Sequence, residues 1–225
     1  MRAPVVVLFD MDGVIFDSER AVLAVWQEIA AQLGLRKIEE VFIRCVGTNK
    51  RRTEELFREA YPALDFAGFD HQVRERFLAR YDRGRLPVKA GVQQILRALR
   101  DREIPLALAS STESGVVRRE LQEAGLLGYF DAVIGGDQVS HSKPDPEIFL
   151  TAAEALGAAP EDCYVIEDSF NGIRAASAAG MRGLMVPDLL PPDGEMESLA
   201  DGIFPDLPAV EEYLLKQLQT IEMDG

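Results

Sequence analysis

The chain has 225 residues, enough for one large domain or one with an insert, and 47% of them are hydrophobic. With 38 acidic residues against 24 basic ones its formal charge is −14, which opposes binding to nucleic acid or to an anionic membrane surface. No apolar run approaches membrane-spanning length, the first one ends at Asp10 without the pattern of a signal peptide, and Cys45 and Cys163 form no CxxC, so a cytoplasmic protein is expected.

Val5–Phe9 reads as a buried parallel strand: short, β-branched and apolar on both faces. It runs into Asp10, Asp12 and Asp17, where charge is costly to desolvate. From Glu19 to Gly34 the rhythm changes. Val22, Val25, Trp26, Ile29 and Leu33 recur at helical spacing, and Gly34 suits a C-cap. Helical patterns continue through TNKRRTEELFREAY and HQVRERFLARYDRG with no strong strand between them. Residues 17–86 are therefore expected to form an all-helical unit, with Trp26 in its core and His71 on its surface.

After Pro87 strands and helices alternate. VQQILRALRD reads as a helix, PLALAS as a strand, ESGVVRRELQEAG as a helix and DAVIGG as a strand. Asp145 and Pro146 suit the N-cap and first position of the helix PEIFLTAAEAL. CYVIED and RGLMVP are strands flanking the helix SFNGIRAASAAG, and PDLPAVEEYLLKQL is the closing helix. The Pro- and acid-rich stretch PDLLPPDGEMESLADG is expected to be a surface loop. The pattern predicts an α/β fold, with a parallel Rossmann-like sheet covered by helices on both faces. The expected division is an α/β core of residues 1–16 and 87–225, and a helical cap of residues 17–86 inserted after the first strand.

In such sheets ligands bind beyond the carboxyl ends of the strands. The first strand delivers Asp10 and Asp12 there, and PLALAS delivers Ser110, followed by Ser111 and Thr112. DAVIGG is followed by Lys143, and CYVIED ends in Glu167 and Asp168. Carboxylates converging without histidine or thiolate favour a hard cation such as Mg²⁺. The two histidines, His71 and His141, leave few candidates for a serine-type triad. A lysine and strand-end hydroxyls suit the oxygens of a phosphoryl group, and a carboxylate can accept that group covalently. A second carboxyl two residues further along an extended segment points the same way and can move protons. Taken singly, each residue has a plainer reading. Lys143 could be a solvated lysine, and Glu167–Asp168 could cap the helix starting near Ser169. Their joint order and strand-end position are far more specific.

With those residues in place, DMDGVIFDSE, LALASS, SKPDPEIF and VIEDSFNGIRAASAAG resemble the four motifs of the haloacid dehalogenase-like hydrolases. The branch most resembled is that of the phosphatases and β-phosphoglucomutases with a helical cap after the first motif. The resemblance implies that Asp10 is nucleophile and metal ligand, and that Asp12 is general acid/base and offers its backbone carbonyl to the metal. It implies that Ser110 and Lys143 bind the phosphoryl group, with Ser111 beside them, and that Asp168 is a metal ligand. Glu167 matches a position that supplies a ligand or an acid just behind the ligands. Dehalogenating members lack the Asp12 equivalent, so phosphoryl chemistry is expected here. The cap would act as a lid over the site. In GTNKRRTEEL, Gly47 and Thr48 resemble its substrate-facing loop, which would aim Lys50 or its neighbours Arg51 and Arg52 at the substrate, a solvated helix start being the plainer reading of each one singly. β-Phosphoglucomutases carry a histidine in the first cap helix where this chain has Val22. The expected activity is thus that of a Mg²⁺-dependent phosphatase of a small phosphorylated metabolite, acting as a monomer or weak homo-oligomer. A phosphosugar mutase and a non-catalytic binding protein of the same fold are the alternatives.

Overall fold

In the computed structural model, which describes residues 5–46, 50–82 and 84–223, six strands form one sheet: β1 (Val6–Phe9), β2 (Leu106–Ala109), β3 (Ala132–Ile134), β4 (Cys163–Glu167), β5 (Arg182–Met185) and β6 (Gly202–Ile203). Their order is β3-β2-β1-β4-β5-β6 and every pairing is parallel. β1 is central, and its alternate residues serve opposite faces. Val7 and Phe9 join a hydrophobic cluster with α5 (Val92–Arg100), α6 (Ser114–Glu123) and α10 (Leu207–Met223). Val6 and Leu8 join another with α7 (Glu147–Ala155) and α8 (Phe170–Ala178). All four side chains are fully buried, each stabilising the fold by about 1.5–3 kcal/mol relative to exposure. Chain order reverses across β1, since β2 and β3 extend to one side and β4 to β6 to the other. That reversal opens a crevice at the carboxyl ends of β1, β2 and β4.

Between β1 and α5 come α1 (Ser18–Leu33), α2 (Ile38–Cys45), α3 (Lys50–Ala60) and α4 (Phe66–Tyr81). They surround their own apolar centre. Trp26 meets Phe42, Phe57 and Phe69 edge-on, with ring centroids 5.1, 6.0 and 5.0 Å away. Gly34 ends α1 in the left-handed conformation at φ 68°. The chain leaves and re-enters the sheet layer side by side. Asp17 N donates to the Pro87 carbonyl and Lys89 N to that of Ile15, both at 2.9 Å. His71 is exposed, as expected.

IEEVFIRC forms α2, a helix within the expected all-helical stretch whose short apolar face is too brief to stand out in the sequence. Two local expectations need correction. Pro146, not Asp145, precedes the first residue of α7, although Asp145 Oδ1 still accepts the Glu147 N–H at 3.0 Å. PDLLPPDGEMESLADG is not a surface loop. Asp193 Oδ1 caps α9 (Gly194–Leu199) by accepting the Met196 N–H at 3.0 Å, Met196 is fully buried, and β6 follows. Its proline and acid content suggested solvation, but one apolar side chain per turn suffices to dock so short a helix.

Candidate functional site

The site begins where the β1 ladder ends. Asp10 N still donates to the Ile166 carbonyl at 3.0 Å, which holds Asp10 in line with the strand and buries it. The chain then turns tightly. Gly13 sits at φ 76°, and a Cβ there would come within 2.1 Å of Asp168 Oδ2. Glycine is therefore required twice over, for its backbone and to admit that carboxylate. Gly172 plays the same part for Glu167, whose carboxylate would lie 1.8 Å from an added Cβ.

Lys143 joins the strands. Its Nζ donates to Asp10 Oδ1 at 2.5 Å, Glu167 Oε1 at 2.8 Å and the Ala109 carbonyl at 3.1 Å. Only 6% of its side chain is exposed, and the ammonium lies 4.7 Å from the centroid of the Phe149 ring. Burial opposes its charge, but Asp10 and Glu167 outweigh burial and hold it protonated. The other Glu167 oxygen accepts from Ser169 N at 2.8 Å and Ser169 Oγ at 2.9 Å, while Ser169 Oγ caps α8 through the Gly172 N–H at 3.0 Å. Glu167 thus does both things its position allowed: it helps start a helix and faces the lysine.

Ser110 lies beneath the surface, its Oγ accepting the Thr112 N–H at 3.1 Å. Ser111, Asp10, Asp12, Lys143 and Asp168 line a cavity of about 610 Å³ at the strand edge. Thr112 Oγ1 donates to Asp12 Oδ2 at 3.3 Å. Lys50 stands apart: its side chain is 70% exposed and its Nζ donates to Asp70 Oδ2 at 3.0 Å within the helical unit. Gly47 and Thr48 lie outside the described residues.

One oxygen each from Asp10, Glu167 and Asp168 fall within 4.8 Å of one another. Burial, the largest influence, pushes the Asp10 carboxyl up to about 8. Lys143 pulls it down, while Glu167 and Asp12 reinforce burial. Asp168 is raised well above the usual carboxylate range by burial first, then by Glu167 and Asp10. Glu19 and Asp188, which no sequence motif singles out, form a second group with Asp168, again within 4.8 Å. The Asp188 side chain is 2% exposed. Its Oδ1 accepts from Lys89 at 2.8 Å and from Arg20 at 3.3 Å. Asp188 Oδ2 and Glu19 Oε2 have no hydrogen-bond partner among the described residues, and burial, then Asp188, push Glu19 up to about 7. A signal for Asp188 existed: it follows β5 closely, as Asp10 follows β1.

Six carboxylates (Asp10, Asp12, Glu19, Glu167, Asp168 and Asp188) are gathered around Lys143, Lys89 and Arg20. A surplus of buried negative charge, an all-oxygen donor set and orphaned carboxylate oxygens fit a hard divalent cation. Asp10, Glu167 and Asp168 lie close enough together that they could hold it, as do Glu19, Asp168 and Asp188.

The fold agrees with that of known proteins. A model of the haloacid dehalogenase-like hydrolases matches residues 5–180. The chain is 33% identical over 200 residues to a phosphorylated carbohydrates phosphatase of Thermotoga maritima, with 87% of each chain covered. It is 33% identical over 179 residues to the fructose-1-phosphate phosphatase of Escherichia coli (strain K12), covering 77% of this chain and 92% of that one. The crystal structure of a HAD family hydrolase from Deinococcus radiodurans R1, with bound phosphate and sodium, superposes with a TM-score of 0.77 at 32% identity, over 90% of this chain and 92% of the other. The chain belongs to the haloacid dehalogenase-like hydrolases.

Proposed function

We propose that this hydrolase is a Mg²⁺-dependent phosphatase of a small phosphorylated metabolite, working through an aspartyl-phosphate on Asp10. The observation that carries the reading is the buried Asp10–Lys143–Glu167 contact with Asp168 alongside and Asp12 on the same cavity wall. The phosphatases named among its relatives support it.

The chemistry follows from these positions. An Asp10 oxygen attacks phosphorus in line, and the bond to the ester oxygen breaks as that oxygen takes a proton from Asp12. The alcohol leaves. Asp12 then accepts a proton from a water molecule whose oxygen attacks the phosphorus; the Asp10–phosphorus bond breaks, inorganic phosphate leaves, Asp10 is again a carboxylate and Asp12 is again protonated. Lys143 offsets negative charge on the transferred group, and Ser111 offers it a hydroxyl. Mg²⁺, held by Asp10, Glu167 and Asp168, would supply further charge neutralisation. The helical unit of α1–α4 would close over the crevice, with Lys50 on its rim. Val22 neither donates nor accepts a hydrogen bond, so it cannot couple lid closure to proton handling as a histidine could. Water, rather than a second sugar, is then the acceptor.

A screen of phosphorylated metabolites for phosphate release tests the proposal. Release should need Mg²⁺ and stop in excess chelator, and undiminished turnover with chelator present refutes the metal assignment. With β-glucose 1-phosphate and catalytic β-glucose 1,6-bisphosphate, efficient formation of glucose 6-phosphate with little free phosphate favours the mutase.

A further inference from the structure

A second cavity, of about 500 Å³, lies on the other side of Asp12, between the loop after β1 and the helices α1, α2 and α4. Asp12, Glu19 and Val46 line both cavities, so the two adjoin at the Asp12 carboxyl. The wall of the second is largely apolar: Met11, Val22, Trp26, Phe42, Val73 and Phe77. Its charged members are all acidic, namely Asp12, Glu19, Asp70 and Glu120. No lysine or arginine lines it among the described residues. Lys50 meets the wall at Asp70 and neutralises that one charge.

We propose that this cavity holds the leaving group and selects phosphate monoesters of uncharged alcohols with an apolar face, rejecting esters that carry a second phosphate or a carboxylate. The inference rests on the phosphatase reading of Asp10 and Asp12 and goes further by naming the substrate class. Its physical basis is simple. With the phosphoryl group at Lys143, the ester oxygen faces Asp12 and the rest of the alcohol extends into the second cavity. An anionic substituent there would lose water against aromatic rings and face Asp12, Glu19 and Glu120 with no cation on the wall. An uncharged alcohol meets no such penalty and covers Trp26 and Val22 instead.

The test uses matched pairs of esters with Mg²⁺ present: benzyl phosphate against 4-carboxybenzyl phosphate, 2-hydroxyethyl phosphate against phosphoglycolate, and fructose 1-phosphate against fructose 1,6-bisphosphate. In every pair that is hydrolysed, kcat/KM should favour the uncharged member by at least about tenfold. Equal or reversed preference, with phosphate still released, overturns the selectivity and leaves the phosphatase reading standing. No phosphate from any ester overturns the phosphatase reading and the inference with it. Val22→Lys places a cation in the wall and should narrow the ratio by about tenfold, and an unchanged ratio in a folded variant places the leaving group elsewhere. The parent panel decides the selectivity whether or not that variant folds.

Discussion

The two cavities meet at Asp12 yet are built on opposite plans. At the strand edge, charged groups are buried and one cation ties several elements together: Lys143 follows β3 and touches side chains from the ends of β1 and β4. In the helical unit the interior is aromatic, and its cations pair with acids on the surface, as in Lys37–Glu40, Arg44–Glu59, Arg58–Glu54 and Lys50–Asp70. The edge is electrostatically loaded, a configuration that costs stability and suits a reaction that moves charge. The helical unit is held by non-directional packing, and as the lid proposed above it would meet different alcohols without disturbing the chemistry. If that division is right, mutations at the edge should reach turnover and those in the lid should reach substrate choice.

The largest expected effect is at Asp10. Asp10→Asn is nearly isosteric and keeps the β1 ladder, so the fold should persist while kcat falls by about 10³-fold or more. A thermal melt together with phosphate release measures both. Turnover near the parent rate removes Asp10 from the role of nucleophile, and the division loses its anchor. Next comes Lys143→Met. It leaves Asp10 and Glu167 without their shared ammonium, and such unmatched buried charge costs about 3–5 kcal/mol. Lys50→Met removes the same charge from a 70% exposed side chain and should change stability by no more than about 0.5 kcal/mol. Equal losses in the two variants would erase the contrast between the regions.

A lid mutation sharpens the comparison from the other side. Trp26→Ala opens the aromatic centre and part of the second cavity wall. It should destabilise the chain by about 3 kcal/mol and raise KM for the preferred ester more than it lowers kcat. A fall in kcat with KM unchanged would give Trp26 a part in the chemical step that its apolar contacts do not suggest.

The two plans also explain what could be read from the sequence. The strand-edge residues were legible jointly rather than singly: DMDG, LALASS and VIEDS each place an acid or hydroxyl at or just after the end of an apolar strand, and their recurrence in that order is far more specific than any one of them. Asp188 obeys the same rule just after β5, but the prolines and acids around it suggest solvent. Its burial depends on Lys89 and Arg20, which arrive from about a hundred residues or more away, and no local period carries that information. The second cavity was illegible for a related reason. Val22 and Trp26 were visible as one face of a helix, but whether such a face is core or cavity wall is decided by how four helices lean on each other.

The smallest expected effect is a pH dependence that only the edge should contribute. Glu19 and Asp10 are raised from 4.5 to about 7 and from 3.8 to about 8, chiefly by burial. Between those limits the folded chain binds more protons than the unfolded one, so these groups favour folding at low pH and the advantage is lost as pH rises. Exposed acids such as Glu147, Glu195 and Asp137 are held low by their partners, and the stability they add is already present at pH 5. Metal-free protein should therefore melt a few degrees higher at pH 5 than at pH 8. Millimolar Mg²⁺ competes with protons for the same carboxylates. It should raise Tm more at pH 8 than at pH 5, reducing or reversing the difference. Melts in chelator and in Mg²⁺ at the two pH values make the comparison. A metal-free Tm that rises towards pH 8, or a Mg²⁺ shift equal at both, would mean that the buried acids at the strand edge are not the groups that respond to proton and metal.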